Sequence, residues 1–135
     1  MTKPRRKTIP ALLLLILAAL LITACNKETK ELPGYIQITQ AEAKEMMAKD
    51  DGHVIVDVRR EDEYNEGHIP GAIRVTNEDI GDTMPEELPD LDQIILVYCR
   101  SGRRSKEASE KLAKIGYTNV YEFGGIIDWD GEVEK

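Results

Sequence analysis

The residues with the clearest capacity for chemistry lie in the segment LVYCRSGRRSKEA, which runs from Leu96 to Ala108. Cys99 follows an apolar run there and precedes three arginines, two serines and a glycine: Arg100, Ser101, Gly102, Arg103, Arg104 and Ser105. The thiolate is the nucleophilic form of cysteine, and nearby cations and helix N-termini favour it. The segment therefore predicts a reactive cysteine in an anion-binding loop, and its three arginines argue against an inert, buried packing residue.

The elements on either side of Cys99 predict how such a loop would be held. The run QIILVYC indicates the most apolar strand of the chain, and SGRRSKEASEKLAKIG indicates a helix that ends at Gly116. Gly102 gives the connecting loop backbone freedom. The N–H groups of this loop and of the first helical turn have no helical partners, so they can converge on one anion.

The rest of the pattern places strands and helices in alternation. Further strands are predicted in YIQI, HVIVDVR, IPGAIRV and NVYEF, and helices in TQAEAKEMMAKD, REDEYNEGH and, as a short final one, IIDWDGEV. Thr39 and Glu42 have the spacing of a capping box. NEDIGDTMPEELPDLD indicates a loop with one helical turn. The alternation predicts an α/β fold with a mainly parallel central sheet and helices on both faces, and Cys99 ends a strand where such sheets bind ligands.

Three segments together resemble the rhodanese family. CRSGRRS is similar to the Cys-Arg-Ser-Gly-x-Arg-Ser active-site loop of that family. VIVDVRREDEYNEGHIPGAI looks like its Asp-Val-Arg and Glu-Gly-His-Ile-Pro-Gly-Ala motifs, and NVYEFGGIIDW like its closing Gly-Gly-x-x-x-Trp segment. The resemblance covers nearly all of residues 35–131. It implies a rhodanese-like fold and a thiosulfate or persulfide sulfurtransferase, in which Cys99 becomes a persulfide and a thiol or cyanide then removes the sulfur.

The resemblance also implies roles within the loop. The amides of residues 100–105 would hold the terminal sulfur of the persulfide. Arg100 and Arg103 would attract a small anionic sulfur donor, while Arg104 and Ser105 would shape the loop and support the thiolate. No cofactor is expected for this chemistry.

Residues in the other two motifs are expected to give structural support. Asp57 should bond to nearby backbone, and Arg59 should pair with an acid such as Glu63 or Glu66. His68 is expected to be a hydrogen-bonding residue of its turn. Two separated histidines and one free cysteine favour no metal site.

Two other functions share the features of the Cys99 loop. Some dual-specificity phosphatases and arsenate reductases resemble rhodaneses, but five residues separate the cysteine and arginine of their longer loops. Four residues separate Cys99 from Arg104 here, which favours one sulfur atom over a tetrahedral oxyanion. A non-enzymatic sulfur carrier or sensor would keep the same loop. A thiol–disulfide oxidoreductase is disfavoured because no second cysteine stands at Cys-x-x-Cys spacing.

The N-terminal residues have the pattern of a targeting signal. A basic opening precedes the uncharged, apolar stretch from Ile9 to Ala24, which is shorter than the roughly 20 residues of a membrane-spanning helix. LITAC, from Leu21 to Cys25, resembles the lipobox of bacterial lipoproteins and implies lipidation of Cys25. We therefore predict a signal peptide over residues 1–24, the lipidated cysteine and a tether over 25–34, and a folded domain over 35–135. The alternatives are an uncleaved transmembrane anchor and an ordinary secretory signal that happens to have a cysteine near its end.

The charge balance limits the partners of the predicted mature chain. The full sequence carries 18 basic and 25 acidic side chains, and four of the basic ones lie in residues 1–24, which leaves a net charge of −11. Such a domain is not expected to bind nucleic acid through its overall field. The expected location is the cell membrane, where lipidated Cys25 holds the domain outside the cytoplasm; the sequence does not identify a protein partner.

Overall fold

A parallel sheet of five strands runs through the part of the chain that the computed structural model describes, residues 34–135. Its strands are β1 (Ile36–Gln37), β2 (Val54–Asp57), β3 (Ile73–Arg74), β4 (Ile94–Cys99) and β5 (Asn119–Gly125). They lie in the order β1-β5-β4-β2-β3, and every neighbouring pair is parallel. Because parallel strands need crossover connections, the helices pass over the faces of the sheet, and the predicted α/β architecture is confirmed.

The helices begin and end close to where the sequence predicts. They are α1 (Gln40–Met47), α2 (Glu61–Glu66) and α3 (Arg103–Ile115), with single 3₁₀ turns at Asn77–Asp79 and Ile126–Asp128. The capping box of α1 is confirmed, because the Glu42 N–H donates to Thr39 Oγ1 at 3.2 Å and the Thr39 N–H donates to Glu42 Oε2 at 2.7 Å. The predicted final helix is shorter than expected, since only the second 3₁₀ turn forms there.

Side chains that alternate along β4 enter two separate cores. Val97 and Cys99 pack on one side with Leu112 of α3, whereas Tyr98 packs on the other with Ala43 of α1. Helices thus cover both faces, which explains why β4 is apolar throughout and does not alternate with polar residues. Burial of a side chain such as Leu112 contributes about 1.5–3 kcal/mol. The alternation also places the Cys99 side chain on the α3 face.

The predictions for residues 1–24, for Cys25 and for nearly all of the tether lie outside the described residues. Within residues 34–135, no helix combines the length and the apolar character that crossing a membrane requires.

Candidate active site

Strand β4 delivers Cys99 to the edge of the sheet where the neighbouring strands also end. β2 and β5 flank β4 in parallel, so the carboxyl ends of three strands meet around the cysteine. Cys99 lies opposite Gly125 of β5, after a shift of register that follows Val97. Cys99 is only 1% exposed, and the loop that follows determines what reaches its sulfur.

The loop brings a backbone donor and a helix N-terminus to the sulfur. The Gly102 N–H donates to Cys99 Sγ at 3.0 Å. Gly102 has a φ of 104°, which side-chain-bearing residues rarely adopt, and it caps the start of α3. The unpaired N–H groups and the dipole of α3 add partial positive charge beside Sγ. These groups give the loop the features of an anion-binding site.

Gly125 allows β5 to approach the loop closely. A Cβ at this position would lie 2.1 Å from the Arg100 carbonyl oxygen and 2.6 Å from the Ser101 Cα. The same Arg100 carbonyl accepts a hydrogen bond from the Ile127 N–H at 3.1 Å. The segment after β5 therefore fixes the first residue of the loop, and this packing leaves no room for a side chain on Gly125.

A polar pocket of about 380 Å³ opens beside the loop. Its lining combines four arginines, two glutamates and a serine: Arg60, Arg100, Arg103, Arg104, Glu63, Glu78 and Ser101. Arg100 and Arg103 are exposed, and the only ion pair of Arg103 among the described residues is a 3.5 Å contact with Glu107. The two arginines predicted to attract an anionic donor thus line the pocket with their charges accessible to solvent.

Arg104 is held by a bidentate ion pair across two helices. Its Nη1 and Nη2 donate to the two carboxylate oxygens of Glu63 in α2, at 2.7 and 2.8 Å. These hydrogen bonds lower the pKa of Glu63 to about 2. They are also the main reason that the pKa of Arg104 is raised, with a smaller contribution from attraction to Cys99. Arg104 therefore connects α3 to α2 and keeps a fixed positive charge near the sulfur.

A buried hydrogen-bond network at the end of β2 supports this edge of the sheet. Asp57 Oδ1 accepts from the Arg59 backbone N–H at 3.0 Å, as predicted, and Oδ2 accepts from Arg59 Nη2 at 2.6 Å. Arg59 Nη2 also donates to the Gly67 carbonyl at 2.7 Å, and the Tyr98 hydroxyl donates to Asp57 Oδ2 at 2.7 Å. Burial, reinforced by the Asp57 charge, raises the pKa of Tyr98, so this phenol remains a donor.

The predicted partner of Arg59 is wrong. Sequence reasoning paired Arg59 with Glu63 or Glu66, but its partner is Asp57, two residues earlier, and Glu63 binds Arg104 instead. Breaking a buried ion pair by removing one partner typically costs about 3–5 kcal/mol, because the other charge is left uncompensated. With Asp57 fully buried and Arg59 only 5% exposed, the pair is part of the scaffold.

His68 is a hydrogen-bonding residue of its turn, as predicted. Its Nδ1 lies 3.0 Å from the Tyr64 carbonyl oxygen, and its ring stacks on the Tyr64 ring with 3.8 Å between centroids. The His68 backbone also pairs with Glu134 near the end of the chain. These contacts bind the segment after α2 to the C-terminal residues.

Sequence reasoning missed several residues of the site, among them Arg60 and Glu122. Arg60 lines the polar pocket, and its signal was a second arginine just beyond the end of β2, the strand beside β4. Glu122 of β5 accepts a hydrogen bond from Ser105 Oγ at 2.5 Å and is only 2% exposed. Its signal was a lone acidic residue within the otherwise uncharged strand NVYEF.

The central strand of this parallel sheet ends in a cysteine, which an arginine-rich loop follows. The sequence model of the rhodanese-like domain matches residues 39–132. The chain therefore belongs to the rhodanese-like domain family, and its fold is the rhodanese-like one.

Individual relatives agree with this assignment. Thiosulfate sulfurtransferase PspE of Escherichia coli (strain K12) is 36% identical over 73 residues, which are 54% of this chain and 70% of that protein. Thiosulfate sulfurtransferase GlpE of Pseudoalteromonas translucida (strain TAC 125) is 35% identical over 94 residues, which are 69% of this chain and 87% of that protein. The solved structure described as "rhodanese with anions from E. coli" is 32% identical and has a TM-score of 0.55, covering 62% of this chain and 98% of that one.

The packing of Gly125 against the loop leads to a test with a matched control. Gly125→Ala would force a methyl group into the Arg100 carbonyl, whereas Gly81→Ala meets no atom within 4 Å. Overpacking of this kind typically costs about 1–3 kcal/mol. We expect chemical denaturation to show that loss in the free energy of unfolding for Gly125→Ala and a much smaller change for Gly81→Ala. Equal stability of the two variants would contradict the close approach of β5.

Proposed function

We propose that this protein is a membrane-anchored sulfurtransferase that acts outside the cytoplasm. It would move a sulfane sulfur from thiosulfate or a persulfide to a thiol or cyanide, through a persulfide on Cys99. Relatives named thiosulfate sulfurtransferase support sulfur transfer in general terms. The donor, the cysteine intermediate and the location are the specific content of the proposal.

The observation that carries the proposal is the surroundings of Cys99 Sγ. The Gly102 N–H donates to Sγ, helix α3 begins four residues after Cys99, and Arg104 is near enough for its charge to attract a negative charge on Cys99. An anion bonded to Sγ would enter the same field. The arrangement thus suits both a thiolate and the negatively charged outer sulfur of a persulfide.

Sulfur loading follows from this geometry as a displacement at sulfur. The Cys99 thiolate attacks the outer sulfur of thiosulfate and forms a new S–S bond. The S–S bond of thiosulfate breaks, and sulfite leaves with the electron pair. Arg100 and Arg103 line the polar pocket from which a doubly charged donor would approach, and their positive charges offset the net negative charge of the chain.

Sulfur release is the second displacement of a ping-pong sequence. A thiolate or cyanide attacks the outer sulfur, and Cys99 leaves as a thiolate with the electron pair of the broken S–S bond. The Gly102 N–H that bonds to Sγ stabilises this leaving group as well as the original nucleophile. One set of contacts therefore serves both half-reactions.

The length of the loop supports sulfur transfer over phosphoryl or arsenate chemistry. Helix α3 begins at Arg103, so only three residues separate it from Cys99. Arg104 is already bound to both carboxylate oxygens of Glu63 and would have to break that pair to bind a phosphate. A short loop whose arginine is already paired with Glu63 suits a single added sulfur atom.

The proposed intermediate can be weighed directly. After incubation with thiosulfate, intact-mass analysis should show a gain of one sulfur atom in the wild type and in Cys25→Ala. Cys99→Ser should show no gain, because the nucleophile is absent. If the wild type gains no sulfur, or if Cys99→Ser gains it equally, the proposal fails.

Two further arms of the same experiment identify the type of sulfurtransferase. Cyanide or a dithiol added to the loaded wild type should remove the sulfur and restore repeated turnover. Sulfur that loads but does not leave with either acceptor would identify a carrier and contradict the enzymatic part of the proposal. Hydrolysis of an aryl phosphate that requires Cys99 would favour the phosphatase alternative instead.

The anchor is supported by the sequence alone. The basic opening, the apolar stretch and the LITAC segment stand in the order found in bacterial lipoprotein signals. A lipidated cysteine with more than one acyl chain would anchor the domain stably, since each buried methylene contributes about 0.8 kcal/mol. The short tether would hold the domain close to the membrane surface.

Lipidation of Cys25 can be tested in growing cells with an alkyne-tagged fatty acid. The label should appear on the wild type and on Cys99→Ser, and it should be absent from Cys25→Ala. A protease added to spheroplasts should digest the domain if it faces outward. Absence of label from the wild type, or a label that persists in Cys25→Ala, would contradict the lipid anchor.

A further inference from the structure

Glu122 is a buried carboxylate that has no role in the two sulfur displacements proposed for Cys99. It lies on β5, and only 2% of the residue is exposed. Its Oε1 accepts from Ser105 Oγ at 2.5 Å and from the Gly124 N–H at 2.9 Å, and its Oε2 accepts from Gln37 Nε2 at 3.2 Å. Among the residues that the structure describes, no basic side chain forms an ion pair with it. Glu122 is therefore surrounded by hydrogen-bond donors and not by a compensating cation.

Ser105 connects this carboxylate to the nucleophile. Its Oγ lies 3.4 Å from Cys99 Sγ and 2.5 Å from Glu122 Oε1, and the residue is fully buried. A hydroxyl has one proton to donate. Of the acceptors around Ser105 Oγ, the carboxylate is the nearest and the only charged one, so the proton points to Glu122. The remaining lone pairs of Ser105 then face the thiol, which donates its own proton to them.

We propose that Glu122 accepts the Cys99 proton through Ser105 and returns it when sulfur transfer is complete. The proposal rests on the proposed function, because only a reacting Cys99 needs to lose and regain its proton. In the forward direction the S–H bond breaks as a new O–H bond forms on Ser105. The original hydroxyl proton of Ser105 moves to Glu122 Oε1. The net charge of the three residues is unchanged, and no other reactant takes part.

Proton transfer to Glu122 removes the one negative charge among these three residues that would repel a thiolate on Cys99. Arg104 attracts a negative charge on Cys99, and an ionised Glu122 repels it. Glu110 and Glu122 both contribute to the raised pKa of Tyr35, so these residues lie near one another, and Glu122 itself lines a groove together with Glu42, Lys106 and Asp128. Once Glu122 is protonated, its repulsion disappears and Ser105 can donate to the thiolate. The thiolate and the protonated Glu122 are therefore expected to form together.

This assignment makes Glu122 a positioning residue, because it acts on Cys99 only through Ser105. While Cys99 carries the outer sulfur, Glu122 would hold the proton in a buried place close to the reacting atoms. When an acceptor attacks, the same proton is available to the leaving Cys99 sulfur. The relay would thus serve as a base in the first half-reaction and as an acid in the second.

The test is a pH titration of the Cys99 thiolate, followed by its ultraviolet absorbance. Full-length protein carrying Cys25→Ala has Cys99 as its single cysteine, and Cys99→Ser in the same background supplies the blank. Two coupled groups that share one proton titrate in two macroscopic steps. The thiolate signal should therefore rise in two steps, with a plateau between them.

Four variants in this background separate the relay from general effects of charge and folding. Glu122→Gln should titrate in a single step, because glutamine carries no proton to share, and Glu122→Asp should restore two steps. Ser105→Ala removes the hydroxyl between the two groups and should bring the two steps closer together. Glu110→Gln removes an exposed acid of α3 and should keep both steps. Circular dichroism would show which variants fold, and Ser105→Ala still tests the relay if Glu122→Gln does not fold.

The outcomes also distinguish this proposal from the proposed function. A single step in the Cys25→Ala protein that overlays the Glu122→Gln curve would overturn the relay, as would an unchanged separation of the two steps in Ser105→Ala. If thiosulfate still loads sulfur onto Cys99 in that case, sulfur transfer stands without the relay. Two steps without sulfur loading would support the coupling of Cys99 to Glu122 but contradict the proposed sulfur transfer from thiosulfate.

Discussion

The site depends on the close packing of the β5 backbone against the loop that follows β4. Gly125 lies so near the Arg100 carbonyl that a single methyl group would clash with it. Because β5 fixes the start of the loop and α3 fixes its end, the Gly102 N–H is left pointing at Cys99 Sγ. The surroundings of Cys99 Sγ are therefore set by backbone geometry, which side-chain rotation cannot disturb.

The charge of the pocket beside this loop is opposite in sign to the charge of the chain as a whole. The chain as a whole is acidic, with a formal net charge of −7, yet the pocket beside Cys99 contains more arginines than acids. The charge of Arg104, whose side chain is only 14% exposed, is screened less by salt than the charges of the acidic surface are. The two ion pairs of the site have different roles. Arg104–Glu63 fixes a positive charge near Cys99, whereas Asp57–Arg59 stabilises the end of β2.

Local patterns in the sequence predicted the elements but not their side-chain partners. The apolar run before Cys99, the capping box at Thr39 and the glycine end of α3 each depend on residues close together in the chain, so they could be recognised directly. The partner of Arg104 is 41 positions away in sequence, and its assignment requires the packing of α2 against α3. Glu122 was missed for the same reason, because only the pairing of β5 with β4 brings it to Ser105. Arg59 was given a partner from the next helix, although the bond it makes is to the nearer Asp57.

The central claim is that the loop after β4 holds a sulfur atom covalently bound to Cys99. A crystal structure determined after soaking the protein in thiosulfate tests this most directly. The account predicts one additional sulfur bonded to Cys99 Sγ, within hydrogen-bond distance of backbone N–H groups of residues 100–105. An unmodified Cys99 beside intact thiosulfate in the arginine pocket would contradict it.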